Sequence, residues 1–367
     1  MKLKSPVLFA YFCASIAQAS DITDACFNCP PLDKIADATT FNDSNYYADA
    51  ISAVNNNLSA AEIKIKITDA ISQNHKNLSY SEVWSALTQT DEDPSNSSNV
   101  ILFYSGISLA KMSNGSGSQS NDQDNWNREH VWPKSHGFSS SSLEAYTDIH
   151  HLRPTDISIN SSRGNLDFDN SDSPLSEAPA NRVDSDSFEP RDSVKGDAAR
   201  IVFYMDTRYE GADATPDLQV VDRLTSVGES SLGRLCRLLE WHVADPVDAT
   251  ELSRNNRIYE YQGNRNPFID HPEWVDSLYA SYCGGSSNDG GDANAAPTVS
   301  AGDVQSVASA ASVTLTATAA DSDGSIVGYQ VGTASHGTLS GTAPSLIYTP
   351  TANFEGSDSF TFTVIDN

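Results

Sequence analysis

Asn125-Trp-Asn-Arg-Glu-His-Val-Trp-Pro-Lys-Ser-His136, followed by Asp148-Ile-His-His-Leu-Arg-Pro-Thr-Asp-Ile-Ser-Ile-Asn-Ser-Ser-Arg-Gly-Asn165, sets polar and ionisable side chains between apolar ones. The pattern predicts a strand, a loop, a second strand and a helix, a small unit around which an α+β domain can be built. Successive side chains in a strand face opposite ways, so Glu129 and His130 can share a site only if the strand ends or bends between them. Trp126 and Trp132 are expected in the core rather than as stacking platforms for bases.

Working outward, Ser59-Ala-Ala-Glu62 and Ser79-Tyr-Ser-Glu82 both have the S-x-x-E spacing of a capping box ahead of apolar residues, which predicts two helix starts. Ile63, Ile67, Ala70 and Ile71 then share a face. Val100 to Tyr104 reads as a buried strand, with a Ser/Asn/Gly loop after it. Ala198 to Met205 and Leu232 to His242 read as core helices. Gly284 to Ala296 has the composition of a flexible linker. Beyond it, Ala311 to Thr318, Ile326 to Val331, Ser345 to Tyr348 and Ser359 to Val364 predict an all-β module, a sandwich. Asp321 and Asp323 lie in an Asp-Ser-Asp-Gly turn that needs no Ca²⁺ to explain it.

The chain opens with Lys2 and Lys4, an apolar run from Pro6 to Ile16, and Ala17-Gln18-Ala19, the pattern of a secretory signal peptide cleaved after Ala19. That run is too short to span a membrane, and no other candidate transmembrane segment is found. Export leaves Cys26, Cys29, Cys236 and Cys283, so two disulfides are expected, in any of the three possible pairings. Cys26-Phe27-Asn28-Cys29 has the spacing of redox motifs and half zinc sites, but it lacks their strand-to-helix setting. The net charge of -27 over 367 residues argues against an enzyme held to nucleic acid by bulk charge. The acidity is uneven, however. No Lys or Arg follows Ser286, whereas the stretch from Arg191 to Arg265 is rich in arginine.

Hydrolysis of a phosphodiester needs a base to activate water, a divalent ion to stabilise charge, and cations to hold substrate. His130 can accept a proton near neutral pH. Glu129 and Asn160 are hard oxygen donors suited to Mg²⁺, which keeps several waters and few protein ligands. His136, His150 and His151 also admit a zinc-dependent hydrolase, although His150 and His151 are better read as buried hydrogen-bonding groups that orient the hairpin. Asn264, Arg265 and Asn266 suit either a cleft or the packing of Pro267-Phe268-Ile269. A third reading is a surface adhesion protein with an inactive enzyme-like domain, against which the intact Glu129, His130 and Asn160 argue.

The segments resemble endonuclease I, a branch of the ββα-metal nucleases. Asn127 to Pro133 is similar to its first motif, Asp148 to Asp156 with Asn160 to Asn165 to its second, and Tyr261 to Asp270 to a third. The resemblance covers Cys26 to about Cys283. It implies His130 as general base, Glu129 and Asn160 as ligands of one Mg²⁺ (Mn²⁺ and Ca²⁺ being alternatives), and DNA together with RNA as substrates cut to 5′-phosphates. Some relatives carry a phosphate-gripping arginine on an insertion that is short here, and Arg153 and Arg163 are the expected substitutes. Phrases from Pro297 to Val364 resemble cadherin-like and bacterial Ig-like repeats. The expected architecture is therefore α+β. A signal peptide (1–19) precedes a mainly helical nuclease domain around a ββα-metal core (20–284), a flexible linker (285–296) and an Ig-like β-sandwich module (297–367). Repeats of that type finish with one more strand after Asp366-Asn367, so the module is expected to be incomplete. The expected protein is a secreted monomer (the periplasm being the other destination), its module binding surface or matrix components.

Overall fold

The structure, a computed structural model, describes residues 25–283 except 213, and 298–366 except 301–304, 309–310 and 321–325. The expected signal peptide, the linker, and Asp321 with Asp323 lie outside the described residues.

Ser59 accepts from the Glu62 N–H while Glu62 reaches back to the Ser59 N–H at 3.1 Å, so the capping box starts a helix at Ala60 as its spacing predicts. The helices of eight or more residues in the first part are α1 (Ala48–Asn55), α2 (Ala60–Ser72) and α3 (Glu82–Thr90). Ser79 and Glu82 make the second reciprocal box at the start of α3. Strand β1 (Asn96–Ile101) ends earlier than expected and pairs with β2 (Ser108–Ala110). Leu102, Phe103 and Tyr104 turn away from it, closed by a Gly106 N–H donating to the Leu102 carbonyl at 2.8 Å. A continuing strand would alternate these side chains between two faces, whereas the turn buries all of them.

Strand β3 (Trp126–His130) pairs antiparallel with β4 (Leu152–Asp156), Glu129 opposite Arg153 and His130 opposite Leu152, and helix α4 (Ile157–Arg163) follows without a break. Asp156 caps α4 by accepting from the Ser158 N–H at 3.0 Å. Gly164 ends it at φ +58°, a conformation that glycine adopts without strain. Helices α5 (Lys195–Arg208), α6 (Leu235–Ala244), α7 (Ala249–Gln262) and α8 (Trp274–Tyr279) complete this part. Two apolar clusters fill it. Trp126, Ile149 and Leu152 belong to one with Trp84, Val100 and Ile258, and Val131, Trp132 and Ile159 to the other with Tyr104, Phe168 and Phe203. The hairpin thus runs along the seam of the two cores, and Trp126 and Trp132 are fully buried, as expected of core residues.

The C-terminal strands are β5 (Thr298–Ser300), β6 (Val313–Thr316), β7 (Thr318–Ala320), β8 (Ile326–Val331), β9 (Gly337–Thr342), β10 (Ser345–Pro350) and β11 (Phe362–Asp366). They pair antiparallel as β5–β7, β6–β10–β9 and β8–β11, an all-β arrangement. Strand β9 was not read from the sequence, because Gly-Thr-Leu-Ser-Gly-Thr has one apolar side chain to signal it. Both disulfides form, Cys26 with Cys29 and Cys236 with Cys283. Among the described residues no helix is long and apolar enough to cross a membrane.

Candidate active site

The loop between β3 and β4 is anchored through Asp148. Its carboxylate accepts from the hydroxyls of Tyr204 (2.7 Å) and Tyr209 (2.8 Å), from the Gln262 amide (2.8 Å) and from the His150 N–H (2.8 Å). Arg254 on α7 donates to the carbonyls of Ile149 and Leu152 at 2.8 Å each and pairs with Asp91. The hairpin's end is therefore fixed by buried, charge-assisted bonds from two helices.

His130 closes β3. Its Nε2 lies 3.0 Å from the Tyr146 carbonyl, which can only accept, so Nε2 carries the proton and Nδ1 keeps a lone pair. Among the described residues no hydrogen bond engages Nδ1. The ring is bordered by Tyr146 (centroids 4.8 Å), His151 (5.3 Å) and Tyr80 (5.9 Å). Burial, with His151 beside it, holds its pKa well below the ordinary histidine value, the charges of Lys134 and Arg128 act the same way, and the Tyr146 carbonyl opposes them. The ring is thus neutral, the form that can accept a proton.

Glu129 has other partners. Its carboxylate accepts from the Tyr104 hydroxyl at 2.8 Å and lies 3.4 Å from the Arg163 guanidinium. Burial pushes its pKa up to about 7 against Arg163, Tyr104 and the His130 N–H, all of which favour the charged form. Asn160 on α4 donates to the Asn127 side chain at 2.7 Å. Asn127 and Glu129 alternate onto one face of β3, so Asn160 leans over the face that carries Glu129. Strand β3 runs through both Glu129 and His130, so the end between them that a shared site was expected to need is not found, and their side chains have separate hydrogen-bond partners. What they share is an edge. Among the described residues β3 pairs only with β4, apart from a bridge between Asn114 and Trp126 at its start, so no strand pairs with its outer edge beside the two residues, where the His130 N–H donates to the Glu129 carboxylate.

The arginines expected to grip phosphate are placed otherwise. Arg153 is 7 % exposed, 2.8 Å from Asp91 and 3.5 Å from Asp197, with Phe103 beneath it. Arg163 is fully buried, facing Glu129 and donating to the Val131 carbonyl at 2.7 Å. Neither presents a free edge to solvent. The histidines of the zinc reading are apart in function as well. His136 bonds the Ser231 carbonyl at 2.8 Å and His151 the Ala145 carbonyl at 2.7 Å, and among the described residues no three His, Cys, Asp or Glu side chains gather to hold a metal. Asn264, Arg265 and Asn266 are buried in packing, bonded to Tyr204, Asp270 and the Arg200 carbonyl. Sequence reasoning missed Tyr104 and Tyr146, for which the sequence held no signal, and passed over Arg128, inside the first motif, and Lys134, just after it.

The Endonuclease I family model matches residues 59–273, and that of a bacterial Ig domain matches 294–367. An extracellular ribonuclease of Bacillus amyloliquefaciens is 54 % identical over 206 residues, which is 56 % of this chain and 70 % of that protein. An extracellular ribonuclease of Bacillus subtilis (strain 168) gives the same identity and the same coverage.

Proposed function

The chain belongs to the endonuclease I family and is a nuclease hydrolysing phosphodiester bonds, and from that premise we propose an exported, divalent-cation-dependent enzyme with His130 as its base. The observation that carries this reading is the His130 ring, pinned through Nε2 to the Tyr146 carbonyl with Nδ1 left to accept a proton at the edge of β3 with which no strand pairs. Water gives a proton to Nδ1 as its oxygen bonds to phosphorus. The bond from phosphorus to the 3′-oxygen breaks, leaving a 5′-phosphate and, after protonation by solvent, a 3′-hydroxyl. The Tyr146 carbonyl stabilises the imidazolium formed.

Glu129 and the Asn160 side-chain oxygen fit a hard cation. The carboxylate is buried and short of positive charge even beside Arg163, and the Asn160 amide gives its N–H to Asn127, keeping its oxygen free. Mg²⁺, or Mn²⁺ or Ca²⁺ in its place, would supply Lewis-acid stabilisation of the phosphate and of the leaving oxygen when bound. Arg163 and Tyr104 hold Glu129 in place for that task. The two extracellular ribonucleases support RNA as a substrate and release from the cell, and DNA is proposed beside RNA.

The test is cleavage of RNA and of supercoiled plasmid by the mature protein with Mg²⁺, with EDTA, and with His130→Ala. Loss of a positioned general base costs about 10²–10⁴-fold in rate. Cleavage that survives both EDTA and the substitution would overturn the mechanism.

A further inference from the structure

Most cations of this acidic protein are already neutralised. Among the described residues every Lys and Arg lies within ion-pair distance of a carboxylate except Lys76, Arg128, Lys134, Arg182 and Arg191. Two of these, Arg128 and Lys134, lie against Tyr80 and Tyr146, the two tyrosines that border the His130 ring. Lys134 is exposed, its ammonium 3.2 Å from the Tyr146 hydroxyl and 5.4 Å from that ring's centre, while the Tyr146 carbonyl holds His130. Arg128 is half-buried, its guanidinium 3.4 Å from the centre of the Tyr80 ring and 4.1 Å from that of Trp84, and it donates to the Tyr80 carbonyl. The stacking fixes its direction and leaves its charge uncompensated.

We propose that Lys134, with Arg128 behind it, forms the subsite that holds the backbone phosphate of the nucleic acid beside His130, the task for which Arg153 and Arg163 are too deeply committed. The inference rests on the nuclease reading. A phosphate there would accept from the Lys134 ammonium, which now donates to the Tyr146 hydroxyl, and its charge would offset that of a half-buried guanidinium with no carboxylate partner. The contact is to backbone and not to bases, so it adds affinity without sequence preference.

Steady-state cleavage of a single-stranded oligoribonucleotide by wild type, Lys134→Gln and Lys134→Arg, each over a range of NaCl concentrations, tests the proposal. Lys134→Gln should raise KM about tenfold with kcat little changed, and should make the dependence of log(kcat/KM) on log[NaCl] shallower by about 0.7–1, with Lys134→Arg restoring both. An unchanged salt slope and KM, or a fall in kcat alone, overturns the subsite while wild-type cleavage keeps the nuclease reading. Absence of wild-type cleavage overturns both. Lys134 is exposed and outside both cores, so the variant keeps the fold, which unchanged circular dichroism verifies.

Discussion

Glu129 is a carboxylate whose surroundings make its charge conditional. With a pKa raised to about 7, its protonated form is favoured in the folded metal-free protein below that pH, whereas a free glutamate ionises near 4.5. The folded state therefore holds the extra proton between those values, and stability present at low pH is lost as pH rises through about 7. On the proposed reading, a cation held by Glu129 needs the ionised form and would restore it. The rise in Tm caused by Mg²⁺ should consequently be larger at pH 8 than at pH 6, and Tyr104→Phe, which removes a donor favouring the charged form, should move the midpoint of that dependence to higher pH. A Mg²⁺-induced shift independent of pH would refute the ligand role of Glu129. Glu129, His130 and Asn160 could be singled out from the sequence as candidates because their chemistry is written in their side chains. Tyr104 sat in an apolar run, and Tyr146 acts on His130 through a carbonyl that any residue would offer.

At the scale of elements, capped helices were legible and the hairpin's anchorage was not. The boxes at Ser59 and Ser79 are local, so a serine and a glutamate within four residues specify each start. The run from Val100 to Tyr104 misled because bulky apolar residues serve a buried turn as well as a strand. Asp148, by contrast, joins donors from α5, from the residue after it and from α7, which no local spacing announces. That network encloses two histidines held neutral, burial pushing His150 down to about 3 and His151 down to about 4. In the unfolded chain both titrate near 6.5, so between that pH and about 4 the unfolded state binds more protons. Their contribution is complete above 6.5 and is lost as pH falls, by about 1.4 kcal/mol per unit for each ring. Glu129 acts in the opposite direction over the same interval, so the rings' share is read by difference: the fall in the urea midpoint between pH 6.5 and pH 5 should be smaller in a His151→Gln variant than in wild type, and an identical pH dependence in the two would refute the burial of this ring as a neutral group.

On the scale of the whole molecule, the charge of -27 does not describe the nuclease part alone, because no lysine or arginine follows Ser286, and the subsite proposed above needs only Lys134 and Arg128. Neither apolar cluster includes a residue beyond Cys283, and the C-terminal strands bury only Leu346 among their described apolar residues. The end of the catalytic part is held instead by its own covalent link. Cys283, just after α8, is bonded to Cys236 on α6, a separation of 47 residues, whereas Cys26 and Cys29 are separated by 3. A cross-link stabilises mainly by removing freedom from the unfolded chain, and the effect grows with the loop it closes. The chain-entropy relation gives about 4 kcal/mol for the long loop and about 2 kcal/mol for the short one. Replacing Cys236 and Cys283 with serine should therefore lower the unfolding free energy in urea about twice as much as replacing Cys26 and Cys29. If the short link proves the costlier to lose, the N-terminal segment is held by native-state packing that the loop argument omits, and the Phe27 backbone, bonded in both directions to the Asn114 side chain, is where that packing lies.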